Sequence, residues 1–474
     1  MERYLEYFYM ISEIPRGSGN TKHIAEFLMQ FAKAHGLSAK KDEHNNVTIV
    51  KEAHPEMSGS APVILQGHID MVAVKDEGVK KDLLTEGLSV YEENGELKAA
   101  GTSLGGDDGI GVAYMLALLA GDYRTPKLEC VFTSDEEVGM LGAAAYDTSV
   151  LTGKRMINLD HEDEGQFVVG CAGGVRLSMT IPVRKEVLTG SVFEIRVSGL
   201  KGGHSGTEID KKRGNAVHIL ADELCKLNGK TGFNLAEING GTADNAIPNT
   251  ASARILLSDT SDTFQSRKEV LSLNGKELFF GTPADVDEGR IEVKELGKDA
   301  MIVLDLLSTD NVTELLRKAP DGVIRFDPHL PSFPETSLNL GILCSNEDDI
   351  TVDFLIRSSR TEGKEALVEE LCKLAEEAGG TCRLSGDYPG WAYKEDSELR
   401  EKMIRIYEEM YLCKPEAFPI HAGLECGVFS DRIPGLDCIA MGPTIRDIHT
   451  TAETLVLESA DRMWAYLLKV LEQL

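Results

Sequence analysis

Residues 61–72 read APVILQGHIDMV. The run Val63, Ile64, Leu65 is apolar without alternation and short, as a strand buried on both faces requires. Such strands belong to parallel sheets with helices on each face, and ligands collect there beyond the carboxyl ends of the strands. A histidine and an aspartate stand where this run stops, at 68 and 70. Strand residues two apart point the same way, so both side chains can serve one side. What this pair does depends on whether other metal-type residues stand at the ends of other strands.

Neighbouring segments extend the pattern. NTKHIAEFLMQFAKAHG (20–36) has helical spacing, with Asn20 as a cap and Gly36 as a stop. NVTIVKE reads as a strand and GIGVAYMLALLAG (109–121) as a buried helix. KLECVFTSDEE (127–137) and RMINLDHE (155–162) read as strands running into acidic loops. The expected fold is α/β: a mostly parallel-sheet catalytic domain covered by helices on both faces. Near 185 the character changes to mixed strand and helix signals, an α+β pattern. After YPGWAYKEDS (388–397) a long helix, the strand-like LDCIAMGP and a closing helix follow. The expected division is 1–185 and 387–474 for the catalytic domain, with 186–386 as an inserted α+β lid domain.

Composition narrows the function class. The 474 residues are 42% hydrophobic and carry a formal net charge of −29, which disfavours nucleic acid and anionic membranes as partners. Apolar runs fall short of a bilayer span, and the first residues lack the pattern of a signal peptide. Nine cysteines without CxxC spacing suit reduced thiols and a cytoplasmic home.

Five motifs follow apolar segments: His68 and Asp70; GTSLGGDDGIGVA (101–113); FTSDEEVGMLGA (132–143); INLDHEDEG (157–165); and MGPTIRDIHTTAETL (441–455), with His449. Each has a plain structural reading. Asp107 or Asp108 could cap the helix they open. Glu136 and Glu137 could be a solvated loop, or divide metal ligation from general-base work. Asp160 follows a short strand, with His161, Glu162 and Asp163 as competitors. Taken together, the imidazoles and carboxylates match the donors of hard and borderline cations. Two histidines and three carboxylates, one of them shared, would hold two metals about 3.5–4 Å apart. No thiolate enters these motifs, which favours a catalytic over a structural site.

GHIDMV, GGDDGIG, SDEEVG and NLD, in that order, resemble the cocatalytic dizinc metallopeptidases of the aminoacylase and carboxypeptidase family. ISEIPRGSGN, CAGG, GGHSGTEIDKKRGNA, ADNAIP, FLIRSSR and HAGLECGVF narrow the likeness to that family's aminoacyl-histidine (Xaa-His) dipeptidases, over nearly the whole chain. The resemblance implies Asp107 as the bridging carboxylate, His68 and Asp160 on one metal, and Glu137 and His449 on the other. It implies Glu136 as general base, Asp70 as the partner orienting His68, and His204 as the lid-domain group that helps hold the oxyanion. Asn245, Arg357, His421 and Gly423 match substrate-contacting positions. The implied reaction is hydrolysis of dipeptides, Xaa-His or carnosine-like and broader, by hydroxide held between two divalent ions. Zinc is expected, with cobalt or manganese as alternatives. The partners expected are a short peptide and, through the lid domain, a second copy of the chain. A dizinc aminoacylase, deacylase or aminopeptidase is the rival reading.

Overall fold

The computed structural model describes residues 3–258 and 289–474, which form two compact units. The first comprises 1–171, 391–420 and 424–474, and the second 172–390 and 421–423. The division falls at Ala172 rather than 186, because the strand Gly173–Pro182 already pairs with Asp349–Ser358 in the second unit's sheet. The return falls at Trp391 rather than 387, because Tyr388 still pairs with Gly174.

The first unit is built on an eight-stranded sheet. At its centre Leu128–Thr133, Val63–His68, Arg155–Asn158 and Asp437–Ala440 run parallel in that order. The strand Asp437–Ala440 completes this sheet from beyond the second unit. Alternation along the strands explains the two covered faces. Val63, Leu65, Cys130 and Phe132 pack with the helices Arg3–Ser12, Lys22–Ala34, Gly106–Ala120, Glu398–Tyr411 and Leu457–Gln473. Ile64 and Val131 pack on the other side with Val428 and Phe429 of the helix Glu425–Arg432. Fully burying each such side chain stabilises by about 1.5–3 kcal/mol.

Asn20 does not cap the second helix, which starts at Lys22 after Thr21 without a side-chain cap. Its amide instead donates to the Leu84 carbonyl at 3.0 Å. Gly36 does end that helix, at φ +67°.

Register lines up the chemistry. His68 lies opposite Thr133 and Gln66 opposite Asn158, so the loops after these strands leave from one edge. A small sheet brings a further loop: Ile445–Arg446 and Thr454–Val456 form a hairpin whose tip contains His449, at φ +63°.

Among its described residues the second unit has a nine-stranded antiparallel sheet. The helices Ala216–Thr231, Leu306–Lys318 and Thr361–Glu377 share its core through Leu220, Leu316 and Leu371. No described helix is long and apolar enough to cross a membrane.

Candidate metal centre

His68 ends its strand 1% exposed. Its Nε2 stands 3.1 Å from Asp107 Oδ1 and 3.6 Å from Asp160 Oδ1. On the other side of the ring, Nδ1 lies 3.4 Å from Asp70 Oδ1 and 3.2 Å from the Asp70 carbonyl. A proton on Nδ1 donated there leaves the Nε2 lone pair facing the acidic cluster. Asp70 is itself held: it accepts from Ser18 Oγ at 2.8 Å, from the Glu136 N–H at 3.0 Å and from the Glu137 N–H at 3.4 Å. Asp70 thus ties the His68 ring to the loop of the two glutamates.

Asp107 offers one oxygen to each histidine. Oδ1 faces His68, and Oδ2 lies 3.1 Å from His449 Nε2. Asp108 turns away and is 1% exposed, its Oδ1 accepting from the Gly111 N–H at 3.2 Å. The helix-cap role and the inter-histidine position therefore fall to different members of the pair. Their joining peptide is cis. His449 Nε2 also lies 3.0 Å from Glu137 Oε1, a buried atom that makes no well-directed hydrogen bond.

The electrostatics describe an acidic cluster that lacks sufficient compensating charge. Burial pushes Asp160 up to about 7, helped by Asp107 and opposed by His68. Burial also raises Glu136 well above the carboxylate range, with Asp160, Glu425 and Glu137 adding to it. Burial acts upward on Asp107 too, but hydrogen bonds from His449 and His68 outweigh it and hold the group down. His449 is pushed up to about 10 by the Asp107 and Glu137 carboxylates beside its ring. His68 is raised despite its burial, by Asp160, Asp107 and Asp70. Such a site lowers its energy by taking cations. The donor set fits divalent metals: carboxylate oxygens and imidazole nitrogens, with ligand atoms of His68, Asp107 and Glu137 all within 4.8 Å of one another.

Four supporting residues escaped the sequence reading. The Arg16 guanidinium is 2% exposed and donates to the carbonyls of Ile69, Asp70 and Gly105. The fully buried Gln66 donates to Thr133 Oγ1 and Glu425 Oε2, and accepts from Asn158 Nδ2 at 2.7 Å. Glu425 and Asn158 complete that network between the strands. Arg16 lay within ISEIPRGSGN and Glu425 within HAGLECGVF, so motif context was the available signal. Nothing in the sequence marked their burial.

The second unit gathers His204, Arg357 and His421. His204 Nδ1 accepts from the N–H groups of Gly206 and Thr207 at 3.3 and 3.2 Å, so the neutral ring keeps its proton on Nε2 as a donor. Arg357 is 7% exposed; its Nη1 donates to Tyr388 Oη at 3.1 Å, while Nε has no hydrogen-bond partner. His421 Nε2 lies 2.7 Å from Ser337 Oγ, and burial with the Arg357 charge pushes the ring down to about 3. Gly206 lets these groups close up: a Cβ there would meet the His421 carbonyl at 2.5 Å and His204 Cε1 at 2.9 Å. Asn245 joins only through its carbonyl, which accepts from the Ser205 N–H at 2.8 Å, and its own side chain is exposed. Gly423 belongs to the same unit as His421.

Known proteins share this architecture. The cytosol non-specific dipeptidase of Escherichia coli (strain K12) is 33% identical over 471 residues, 98% of this chain and 96% of that protein. The crystal structure of aminoacylhistidine dipeptidase from Vibrio alginolyticus superposes with a TM-score of 0.88 at 32% identity, covering 100% of this chain and 96% of that one. Aminopeptidase PepT from Bacillus cereus shares the fold at a TM-score of 0.57 and 16% identity, covering 100% and 98% of the two chains. The sequence pattern of one family matches residues 64–473, a span that takes in His68, Asp107, Glu137, Asp160 and His449. With its fold, its acidic cluster and these likenesses in agreement, the chain belongs to the peptidase family M20/M25/M40.

Proposed function

We propose that this metal-dependent peptidase cleaves dipeptides over a broad range that includes Xaa-His, using a pair of divalent ions. The single observation that carries the dinuclear reading is Asp107, with one carboxylate oxygen 3.1 Å from each of two histidines. The names of its relatives support the substrate class, one a non-specific and one an aminoacylhistidine dipeptidase. In this reading His68, Asp107 and Asp160 would hold one ion, and Asp107, Glu137 and His449 the other. Two ions, when bound, polarise the scissile carbonyl and acidify water. Glu136 takes the proton from the attacking water and later delivers it to the leaving amine. Asp70 holds His68 in the tautomer that presents Nε2. His204, with its proton on Nε2, donates to the oxygen on which negative charge develops. Arg357, with Nε unengaged, receives the substrate's free carboxylate and so favours short peptides. Asn245, His421 and Gly423 complete the substrate contacts. Zinc suits the mixed nitrogen and oxygen donors, as cobalt or manganese also would. A cytoplasmic location and a homodimer through the second unit belong to the same reading.

The test is hydrolysis of a panel by chelated protein given back zinc, cobalt or manganese. The panel holds β-alanyl-histidine, other Xaa-His and unrelated dipeptides, tripeptides and N-acyl amino acids. Metal-restored cleavage of dipeptides, Xaa-His among them, is expected. Cleavage of acyl amino acids alone would transfer the site to an aminoacylase.

A further inference from the structure

The loop that presents Asp107 is bound by a carboxylate on one side and a guanidinium on the other. Glu453 Oε2 accepts from the N–H groups of Leu104 and Gly105 at 2.8 and 2.9 Å. Its Oε1 accepts from those of Gly106 and Asp107 at 2.8 and 3.3 Å. Four consecutive backbone donors thus converge on one side chain that is 3% exposed. Bonds of this kind, to an ionised acceptor, are stronger than neutral ones. From the opposite side Arg16 donates to the Gly105 carbonyl. Gly105, at φ +63°, has room for this: a Cβ there would collide with Arg16 Nη2 and Met71 Sδ. A Cβ on Gly106 would crowd Glu453 Oε1 at 3.2 Å.

Glu453 also sits four residues after His449, in the same hairpin tip. One residue therefore joins the loop bearing His449 to the loop bearing Asp107, whose side chains meet at 3.1 Å. The backbone that Glu453 holds is the one from which the Asp107 carboxylate faces both histidines. We propose that Glu453 is the positioning residue of the metal pair, setting Asp107 and His449 in mutual register so that the ion on the Glu137 and His449 side is held tightly. This inference rests on the dinuclear reading above.

The experiment uses the full chain carrying Glu453→Gln. The substitution keeps the shape but turns an amide NH2 toward two of the N–H donors. Wild type and variant are chelated and titrated with Zn2+ or Co2+ against a competing chromophoric chelator. Bound metal per chain, the Co2+ absorption spectrum, kcat, KM and the Tm of the metal-free forms are read together. Wild type is expected to bind two ions. The variant should bind both ions more weakly, because they share Asp107, and the one on the Glu137 and His449 side the more so, by about 10–100-fold, the usual cost of losing a group that orients a ligand. Its kcat should fall at limiting metal and recover with excess metal, with KM unchanged. Glu453→Asp, which keeps the charge on a shorter arm, should lie between the two, and it carries the same readouts if Glu453→Gln does not fold. Folded variant that binds both ions with wild-type affinity, whatever its Tm, would reduce Glu453 to a structural role and overturn the inference. Wild type that binds fewer than two ions would overturn the dinuclear reading, and this inference with it.

Discussion

At the scale of the residue, adjacent and identical side chains do different work. Asp107 faces two imidazoles, whereas Asp108 is buried with one oxygen on the Gly111 N–H and the other without a hydrogen-bond partner. Burial, with Asp160 and Asp107 nearby, raises Asp108 well above the carboxylate range. Asp108→Asn, close in shape and uncharged, should therefore keep wild-type metal content. Asp107→Asn should lose metal, because an amide cannot offer an anionic oxygen to both sides. Metal analysis of the two dialysed variants decides this, and equal loss would contradict the assignment of Asp107. The glutamates divide similarly. Glu136→Gln should lower kcat by about 10²–10⁴-fold, the usual contribution of a general base, while metal content stays at the wild-type level. Metal lost together with activity would make Glu136 a ligand instead.

At the scale of the element, the strand Val63–His68 serves two environments. Leu65 packs among the first group of helices, while Gln66 binds Thr133, Glu425 and Asn158. Leu65→Ala should cost about 2–5 kcal/mol through the cavity it leaves. Gln66→Leu fills its space yet strands the Asn158 amide, at about 1–3 kcal/mol, while Glu425 Oε2 keeps the Thr133 hydroxyl at 2.6 Å. Denaturant unfolding of the metal-free proteins measures both. A Gln66→Leu protein as stable as wild type would show that the network contributes nothing net. The strand itself was legible in the sequence, since its apolar run is of strand length and lies among other strand and helix signals. The network was not, because Gln66 and Glu425 are 359 positions apart and meet only after folding.

At the scale of the whole molecule, protons and metals compete for the same donors, and the direction of the effect follows. His449 is held near 10 in the folded chain against an ordinary 6.5, so the stability it contributes is fully present below pH 6.5 and lost as pH rises toward 10. Asp160, raised from 3.8 to about 7, acts in the same sense at lower pH: its contribution is present below 3.8 and lost through 7. Metal-free protein should therefore be less stable at pH 9 than at pH 6. Metal-loaded protein should show the reverse trend, because ions displace those protons and bind more tightly as pH rises. Unfolding at both pH values, with and without zinc, would show the opposite slopes; parallel slopes would mean that the acidic cluster does not take the metal.

The sequence by itself determined the α/β class and the neighbourhood of the acidic cluster. The class follows from strand and helix patterns alternating along the chain, and the neighbourhood from the polar residues at the ends of several apolar runs. The sequence also drew His204, Arg357 and His421 out of the chain through motif likeness, though not how the buried Ser337 would seat His421 or the half-buried Tyr388 would seat Arg357. Motif likeness named Asp107 over Asp108, but only the tertiary structure shows the two side chains pointing apart, Asp107 between the histidines and Asp108 on the Gly111 N–H. It alone set the unit boundaries at Ala172 and Trp391, through strand pairing rather than composition. It alone brought Glu453 to the N–H groups of residues 104–107, some 346–349 positions away. A buried carboxylate needs partners, and which partners it finds depends on how distant strands and loops pack, not on the residues beside it in the chain.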